Sequence, residues 1–291
     1  MFEILDGKKY SLELKNKLKE LIGKSNRNDL PILGVLQVGN LEESNIYIKH
    51  KIKIANDLGL KTEFVKLLEN STSTIIKEEI LKLSKKVTGL IIQLPMISNK
   101  IDNVQDILDT IPKEKDIDGL STFNLNSNFI DNNNFLPATA KGIILLLKKY
   151  NVNLISNDIS IVGQSNIVGK PLARYLSNFN NTIRVYTKDT PKENIIKSSI
   201  VVVATGKRNS VLIDNIKNNA ILVDVGIHRV DNKIYGDLDF EKCSKKASLI
   251  TPVPGGVGPM TVIALMLNLI KSWILQTKDT NKTFSEILDL L

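Results

Sequence analysis

The sequence is poor in the residues that build metal centres and disulfide scaffolds. Its 291 residues include one cysteine, Cys243, and two histidines, His50 and His228. A single cysteine excludes an internal disulfide, and two isolated histidines do not have the spacing of a zinc site. An apolar run of about 18 residues, as a membrane-spanning helix needs, is also lacking. The opening segment MFEILDGKKY does not resemble a secretion signal. These absences predict a cytoplasmic protein without a membrane partner or a metal.

The net charge of the protein bears on whether its partner is a nucleic acid or an anionic small molecule. The formal net charge is +8, which could indicate a protein that binds nucleic acid. Lysine is spread along the whole chain, however, and no basic run is interleaved with aromatic residues, as nucleic-acid binding would favour. We therefore expect no nucleic acid as partner, and an anionic small molecule suits the basic surface equally well. A non-enzymatic protein that binds nucleotides or nucleic acid stays open as an alternative.

The order of apolar runs and helical periodicity predicts the fold class. Short apolar runs alternate with helix-period segments in both halves of the chain, which is typical of parallel α/β sheets. A polar, asparagine-rich loop at Asn124–Asn134 separates the halves, and a domain boundary near Leu136 follows. We predict an α/β protein of two domains. Residues 1–136, completed by C-terminal helices at 262–291, form the N-terminal domain, and 137–261 form a second, Rossmann-type, doubly wound domain. The C-terminal helix returns to the first domain.

Individual elements follow from the same patterns. A helix capped by Ser44 is expected to run to about Leu58. The predicted strands are Pro31–Val38, Thr62–Leu67, Gly89–Leu94, Ile159–Val162, Ile183–Tyr186, Ile200–Ala204 and Ile221–Val225, and the other predicted helices are Ser73–Lys86, Lys141–Tyr150 and Met260–Leu275.

The segment Ile159–Pro171, with sequence ISIVGQSNIVGKP, is typical of a phosphate-binding turn. A buried strand runs into Gly163, Gln164 and Ser165, and a helix is expected to start near Gly169. Glycine permits close approach of the backbone, and the helix amino terminus offers free N–H groups to a pyrophosphate. The spacing differs from the usual dinucleotide fingerprint, so a plain tight turn is the alternative.

Two further loops strengthen the case for a dinucleotide. Thr205 and Gly206 follow the strand VVVA, and Gly226 and Ile227 follow ILVDV. Both loops are expected at the carboxyl edge of the sheet, where open α/β folds bind their ligands. His228 comes next in the chain, and there a structural role is favoured over contact with a cofactor.

The end of the second Rossmann strand distinguishes NADP from NAD. An acid there accepts the ribose hydroxyls of NAD, whereas a cation suits the 2′-phosphate of NADP. The segment contains Arg184, Lys188 and Asp189. Because two cations outnumber one acid, NADP is expected, and NAD is possible.

Polar residues in the first half, together with a glycine-rich motif near the end of the chain, suggest a catalytic site. Tyr47 and Lys51 lie one helical turn apart, although this spacing alone is more typical of a solvated lysine. Gln93-Leu94-Pro95 ends an apolar strand, KDIDG occupies 115–119, and TPVPGGVGPMT occupies 251–261. Together with the phosphate loop, these motifs resemble the bifunctional methylenetetrahydrofolate dehydrogenase/methenyltetrahydrofolate cyclohydrolase family. The resemblance extends over nearly the whole chain, with the motifs in the same order.

The resemblance implies a homodimer that oxidises 5,10-methylenetetrahydrofolate with NADP and hydrolyses the methenyl product to 10-formyltetrahydrofolate. Tetrahydrofolate is then the carrier of the one-carbon unit. The implied catalytic residues are Tyr47, Lys51, Gln93, which orients the lysine, and Asp118, which holds the pterin. The implied substrate-binding set adds Leu94, Pro254, Gly255, Gly256 and Pro259, and the cofactor-binding set is Gly163, Gln164, Ser165, Lys188, Thr205, Gly206 and Ile227.

Three departures from the family pattern bear on the cofactor and the domain junction. Gln164 stands where the family often has arginine, and Thr187-Lys188 where it often has His-Ser. Lys188 is therefore expected to replace the missing cation. Residues 137–140 are PATA instead of Pro-Cys-Thr-Pro, which keeps Thr139. A monofunctional dehydrogenase is the second alternative, and the presence of Lys51 and Gln93 argues against it.

Overall fold

The computed structural model describes residues 2–25, 29–131, 133–231 and 233–278, which form two compact units. The three-stranded unit comprises Leu14–Ala138 and the described chain from Val262 onward. The six-stranded unit comprises the chain up to Glu13 together with Thr139–Thr261. The part of the predicted C-terminal helices beyond 278 lies outside the described residues. The amino-terminal residues thus join the six-stranded unit, although the sequence places 1–136 together.

The described strands and helices follow the predicted alternation. The strands are β1 (Glu3–Ile4), β2 (Ile32–Val38), β3 (Lys61–Leu67), β4 (Gly89–Gln93), β5 (Asp158–Val162), β6 (Thr182–Tyr186), β7 (Ile200–Val203), β8 (Ala220–Asp224), β9 (His228–Val230), β10 (Lys233–Tyr235) and β11 (Ala247–Ile250). The helices are α1 (Gly7–Lys24), α2 (Glu42–Asp57), α3 (Ser73–Ser84), α4 (Val104–Leu108), α5 (Thr122–Leu125), α6 (Ala138–Lys149), α7 (Gly169–Ser177), α8 (Phe240–Cys243) and α9 (Val257–Thr277).

The six-stranded sheet has the order β1-β11-β8-β7-β5-β6, and its strand pairs are parallel. The chain leaves β5 toward β6 on one side and then crosses to β7 on the other. This reversal of direction makes the carboxyl ends of β5 and β7 the topological switch point of the sheet. The prediction of a Rossmann-type unit is confirmed. Residues 3–4 belong to this unit because β1 pairs with β11 at its edge.

The three-stranded sheet has the order β3-β2-β4 and is also parallel. β2 and β4 are apolar runs that are almost entirely buried, as expected of parallel strands covered on both faces. β3 alternates between exposed and half-buried side chains because it lies at the sheet edge. The parallel pairing brings the carboxyl ends of β2 and β4 to the same edge of the sheet.

The start of α2 differs from the prediction. The helix begins at Glu42, with Leu41 at the N-cap, and Ser44 is a buried residue of its first turns rather than its cap. Leu41 provides no side-chain cap. Glu42 and Glu43 instead place negative charge at the positive end of the helix dipole, which stabilises the terminus without a capping hydroxyl.

Helix α9 completes the core of the three-stranded unit. The Asn268 carboxamide donates to the carbonyl oxygens of Ile117 (2.8 Å) and Leu136 (3.1 Å). Trp273 is buried and donates its indole N–H to the Asp29 carbonyl at 2.8 Å, which anchors the helix within the unit. By length and composition α9 could cross a membrane, but 83% of its apolar window is buried within the protein. Such burial is typical of a core helix, and the predicted return of the C-terminal helix to the first domain is confirmed.

Lys271 makes the stability of this core dependent on pH. Its side chain is 8% exposed, and its ammonium donates to the Asn134 carbonyl at 2.8 Å. Burial lowers the pKa of Lys271 from 10.5 to about 8, and Asp131 opposes this shift. Between these two values the unfolded chain binds more protons than the folded one, so stability rises with pH there. We expect this group to raise the unfolding free energy by about 3 kcal/mol as the pH increases from about 8 to about 10.5.

The comparison that isolates this effect is Lys271→Met, which keeps the apolar stem and removes the titrating group. Urea unfolding of both proteins at a series of pH values gives their difference in stability. We expect the free energy of unfolding of the wild type to increase relative to that of the variant as the pH rises from about 8 to about 10.5. A constant difference would mean that Lys271 titrates alike in the folded and unfolded chains.

Candidate active site

The carboxyl ends of β2 and β4 hold two buried carboxamides side by side. Gln37 and Gln93 are register partners on the parallel strands, and they are 2% and 9% exposed. The Gln93 amide donates to the Leu94 carbonyl at 2.8 Å, which fixes its orientation and leaves its oxygen as an acceptor. The Gln37 amide donates to Asn45 on α2 at 2.9 Å. Sequence reasoning missed Gln37, because within an apolar strand nothing marks it as part of a polar site.

Lys51 and Gln93 are joined by a hydrogen bond, in agreement with the orienting role that the family resemblance implies for Gln93. The Lys51 ammonium on α2 donates to the Gln93 oxygen over 3.1 Å. Both Lys51 and Asp118 are half-buried. Burial lowers the pKa of Lys51, and the nearby charge of Asp118 opposes that shift. A lysine in this environment supplies a neutral amine at lower pH than an ordinary lysine does, which suits it to proton transfer.

Asp118 is the partner of Lys51 in electrostatic terms. Burial raises the pKa of Asp118, the positive charge of Lys51 opposes the rise, and the charge of Asp116 adds to it. The charge of Lys51 thus favours the ionised form of Asp118, and the charge of Asp118 favours the protonated form of Lys51. Because each charge stabilises the other, both groups can be ionised at this half-buried site without either charge being left unpaired.

The KDIDG segment is a turn built to present Asp118. The Asp116 carboxylate is 1% exposed and accepts backbone N–H bonds from Gly119 (3.1 Å), Leu120 (3.3 Å) and Ser121 (2.8 Å). Lys115 donates to the carbonyls of Ser84 and Val87, and Ile117 is fully buried. Gly119 has a φ of 72°, and a side chain there would strike the Phe135 carbonyl. The neighbours of Asp118 in this turn therefore fix its backbone. The Asp118 carboxylate is the group of the turn that could bind a ligand.

The first part of the polar segment Asn124–Asn134 is built into the three-stranded unit, although the sequence predicts a loop there. Its first two residues belong to α5, and Asn124 is fully buried. The Asn124 amide donates to the Asp116 carboxylate at 2.8 Å, and its oxygen accepts the Phe135 N–H at 2.8 Å. The segment is therefore not a simple linker, because its first part supports the turn that carries Asp118.

The other two predicted residues of this unit are neighbours of Lys51 on the helix and of Gln93 in the chain. Tyr47 precedes Lys51 by one turn of α2 and is 40% exposed. Leu94 directly follows Gln93, is half-buried and precedes a cis peptide bond to Pro95. Among the residues that the structure describes, no group of His, Cys, Asp and Glu is arranged to hold a metal ion.

In the six-stranded unit, Gly163 forms a cradle where β5 ends. Its φ is 111°, and a side chain there would collide with the carbonyl of Ala204, which follows β7. A side chain at Gly169 would likewise strike the Gly163 carbonyl. The loop is therefore closed tightly against the start of α7, a helix of nine residues. This cradle fits the pyrophosphate of a dinucleotide, which needs bare backbone at a helix amino terminus.

The remaining predicted cofactor residues lie in exposed loops of the same sheet. Gln164 and Ser165 are exposed, and the Ser165 hydroxyl accepts the Val168 N–H at 3.2 Å. Exposed residues in the other loops are Lys188 after β6, Thr205 and Gly206 after β7, and Ile227 after β8. All of these loops follow strands of one parallel sheet and so share its carboxyl edge.

The argument that two cations outnumber one acid near the ribose is wrong in one respect. Arg184 lies within β6, and its guanidinium binds the Asp158 carboxylate at 2.8 Å, at the beginning of β5. Because this is the opposite end of the strand from the cofactor loops, Arg184 does not supply the cation. Lys188, in the turn after β6, remains as the candidate beside Asp189.

The glycine-rich loop of TPVPGGVGPMT is held against the amino-terminal segment. The Gly255 carbonyl accepts the Lys8 N–H at 2.7 Å, and a side chain at Gly7 would collide with the Gly256 carbonyl. Pro254 is exposed and follows a cis peptide bond, and Pro259 lies in the first turn of α9, where proline is tolerated.

Comparisons with known proteins agree along the whole chain. A family model for the catalytic domain of tetrahydrofolate dehydrogenase/cyclohydrolase matches residues 5–118, and one for its NAD(P)-binding domain matches 137–277. The bifunctional protein FolD of Metamycoplasma arthritidis is 56% identical over 289 residues, covering 99% of this chain and 98% of that protein.

Two solved structures have the same fold. The bifunctional FolD dehydrogenase/cyclohydrolase of Campylobacter jejuni is 37% identical, with a TM-score of 0.88 over 95% of this chain and 100% of that one. The FolD of Trypanosoma brucei, complexed with NADP cofactor and inhibitor, is 28% identical, with a TM-score of 0.89 over 96% of this chain and 99% of that one.

Proposed function

Because the chain belongs to the tetrahydrofolate dehydrogenase/cyclohydrolase family, we propose that it catalyses two successive steps on one-carbon folates. The first oxidises 5,10-methylenetetrahydrofolate to 5,10-methenyltetrahydrofolate with NADP. The second hydrolyses the methenyl group to give 10-formyltetrahydrofolate. The observation that carries the proposal is the half-buried Lys51, bonded to Gln93 and coupled to Asp118.

In the hydrolysis a water molecule attacks the methenyl carbon and loses its protons, the bond between that carbon and N5 breaks, and N5 takes up one of the protons. Lys51 is the group placed to accept or return a proton, because burial lowers its pKa and its neutral amine therefore forms at a lower pH than that of an ordinary lysine. Gln93 accepts a hydrogen bond from the amine and so holds its nitrogen in one position.

Oxidation demands orientation more than proton transfer, since the methylene carbon lies between two nitrogens that stabilise the cation it becomes. Asp118 supplies a carboxylate that can accept from the amino and ring N–H groups of the pterin. Tyr47, with an exposed ring one turn from Lys51, can stack on the pterin. Leu94 and the loop Pro254–Pro259 complete the proposed folate contacts.

The cofactor assignment rests on the fit of the Gly163 cradle. Gly163, Gln164 and Ser165 would hold the pyrophosphate, and Thr205, Gly206 and Ile227 would line the adjoining part of the edge. A dinucleotide held there would supply the acceptor for the hydride that leaves the methylene carbon. The protein fixes the backbone of these loops and, through Gly163, keeps a side chain out of the proposed phosphate site.

Lys188 is expected to set the preference for NADP. We expect Lys188→Ala to raise the Michaelis constant for NADP by roughly tenfold, the loss of about one charged contact, and to leave that for NAD unchanged. The measurement is the dehydrogenase rate against each dinucleotide. Lys197→Ala, which removes another exposed lysine of the same unit, is the control. Equal losses with NADP and NAD would contradict the assignment, and so would a parallel loss of cyclohydrolase activity.

A single assay tests the whole proposal. Reduced nicotinamide is followed by its ultraviolet absorbance during incubation with methylenetetrahydrofolate and either dinucleotide, and decay of supplied methenyltetrahydrofolate is followed separately. Both signals are expected, with the faster oxidation in NADP. Oxidation without hydrolysis would support the monofunctional alternative, and salt-dependent binding to DNA without either reaction would support the non-enzymatic one.

We also propose the organisation that accompanies this activity. Residues 1–136 with the C-terminal helices bind folate and 137–261 bind the dinucleotide, and the match of an NAD(P)-binding family model from residue 137 supports that division. The protein is proposed to be a cytoplasmic homodimer without nucleic-acid or membrane partners, as the family resemblance and the evenly spread charge favour.

A further inference from the structure

A pair of buried carboxylates lies beneath the loops that carry the proposed cofactor residues. Asp224 ends β8 and is 4% exposed, and Asp237 follows the β9-β10 hairpin and is fully buried. The Asp224 carboxylate accepts the backbone N–H groups of Gly226 (3.0 Å), Asp237 (2.9 Å) and Leu238 (2.8 Å). Asp224 therefore fixes the position of Asp237, and Asp237 faces the loops.

Asp237 binds two different loops, one through each oxygen. Its Oδ2 accepts from the Thr205 N–H (2.6 Å), the Thr205 hydroxyl (2.8 Å) and the Gly206 N–H (3.1 Å). Its Oδ1 accepts from His228 Nε2 at 2.7 Å. His228 directly follows Ile227, so a single carboxylate connects the loop after β7 to the loop after β8.

Two glycines show that this arrangement is built into the backbone. A side chain at Gly226 would occupy the position of the Asp237 carboxylate, and a side chain at Gly236 would occupy that of Asp224. Each acid thus fills the space that the glycine leaves empty. Asp237 accepts from four donors and Asp224 from three, so both buried carboxylates have hydrogen-bond partners. A change of this geometry would leave some of these groups unpaired, which is costly for buried charges.

We propose that Asp237 is a positioning residue for the dehydrogenase step. Through its bonds to Thr205, Gly206 and His228 it fixes the loops after β7 and β8 relative to each other. The proposal rests on the function proposed above. The hydride acceptor must be placed to within a fraction of an ångström, and bonds to a buried carboxylate restrict both loops at once. The hydrolysis step needs no dinucleotide, so it does not depend on this connection.

The test compares disruptive variants with conservative ones. Asp237→Ala leaves the Thr205, Gly206 and His228 donors without an acceptor, whereas Asp237→Asn keeps an acceptor for the β7 loop and an amide that can donate to the other imidazole tautomer. We expect Asp237→Ala to raise the dissociation constant of NADP, measured by fluorescence titration, at least tenfold. Asp237→Asn should recover most of that loss. Hydrolysis of supplied methenyltetrahydrofolate should stay within twofold of wild type in both.

A second pair of variants tests the connection to the β8 loop alone. His228→Leu removes the donor, and His228→Gln retains an amide that can replace it. We expect a rise of about threefold to tenfold in the NADP dissociation constant for the leucine variant, and near wild-type binding for the glutamine variant. Asp239→Asn, which changes a partly exposed acid two residues from Asp237 that caps α8, is the control and should bind NADP normally.

The outcomes separate this inference from the proposed function. If wild type catalyses neither reaction, the proposed function fails, while the NADP titrations still test the connection between the loops. Unchanged NADP affinity in Asp237→Ala and His228→Leu would overturn the inference. So would equal loss of both activities together with a lowered melting temperature, because a purely structural residue would produce that pattern. An Asp237→Ala chain that fails to fold leaves the His228 pair to decide between the two.

Discussion

Replacement of Lys51 with glutamine is expected to lower the rate of methenyltetrahydrofolate hydrolysis by about 10²-fold to 10⁴-fold, the range for loss of a general acid or base. Glutamine keeps a polar group that can bond to Gln93 but cannot accept a proton at nitrogen. The dehydrogenase step should remain measurable, because it depends on orientation and hydride transfer. The experiment measures both rates on the same preparation across a range of pH.

The pH profile gives the sharper readout. In the wild type the hydrolysis rate should rise as the Lys51 amine loses its proton, at a pH below that of an ordinary lysine because burial lowers its pKa. The glutamine variant should lack this rise. Lys53→Gln, on an exposed position of the same helix, is the matched control and should keep wild-type rates and profile. An unchanged hydrolysis rate in Lys51→Gln would remove Lys51 from the mechanism.

Gly163→Ala is expected to weaken NADP binding by roughly 100-fold or more, close to 3 kcal/mol. The added methyl group meets the Ala204 carbonyl, and the φ of 111° is one that residues with a side chain rarely adopt. The strand ends at β5 and β7 must therefore separate, which opens the cradle. Dehydrogenase activity should fall with the affinity, and hydrolysis of supplied methenyltetrahydrofolate should persist.

Gly59→Ala is the control that distinguishes the backbone strain of a positive φ from the collision of an added methyl group with a neighbouring carbonyl. Gly59 also has a positive φ, of 79°, but open space surrounds the site of its missing side chain. This variant should lose about 1 kcal/mol of stability from the left-handed backbone and bind NADP as wild type does. Normal NADP affinity in Gly163→Ala would show that the loop after β5 is an ordinary turn rather than a phosphate site.

Strand positions were predictable because buried parallel strands are uninterrupted apolar runs. The segments at β2, β4, β5, β7 and β8 all fall within a residue or two of their predicted bounds. Helix ends were harder, and Ser44 illustrates why. A serine looks like a cap in the sequence, but two glutamates before it already stabilise the terminus, so the helix starts earlier. The two-residue strand β1 has no pattern of its own and exists only because β11 is present to pair with it.

The predictable part of the candidate site is the part with local sequence signals. Lys51, Gln93 and Asp118 each lie in a motif, and their resemblance to a known family linked them before any geometry was known. Asp237 had no such signal. Three of its bonds go to Thr205 and Gly206, more than thirty positions away in the chain, and two of those donors are backbone N–H groups that every residue but proline possesses. Asn124 was misjudged for a similar reason, since its partner is a buried carboxylate rather than water.

The place of α9 in the chain affects how the protein is made. On the ribosome, the segment that forms the three-stranded sheet emerges well before Asn268, whose amide satisfies the carbonyls of Ile117 and Leu136. Nascent chains usually fold from the amino terminus domain by domain. Here the three-stranded unit is complete only once α9 has been translated, after the whole of the segment Thr139–Thr261, so the part of its core that α9 covers stays exposed until then.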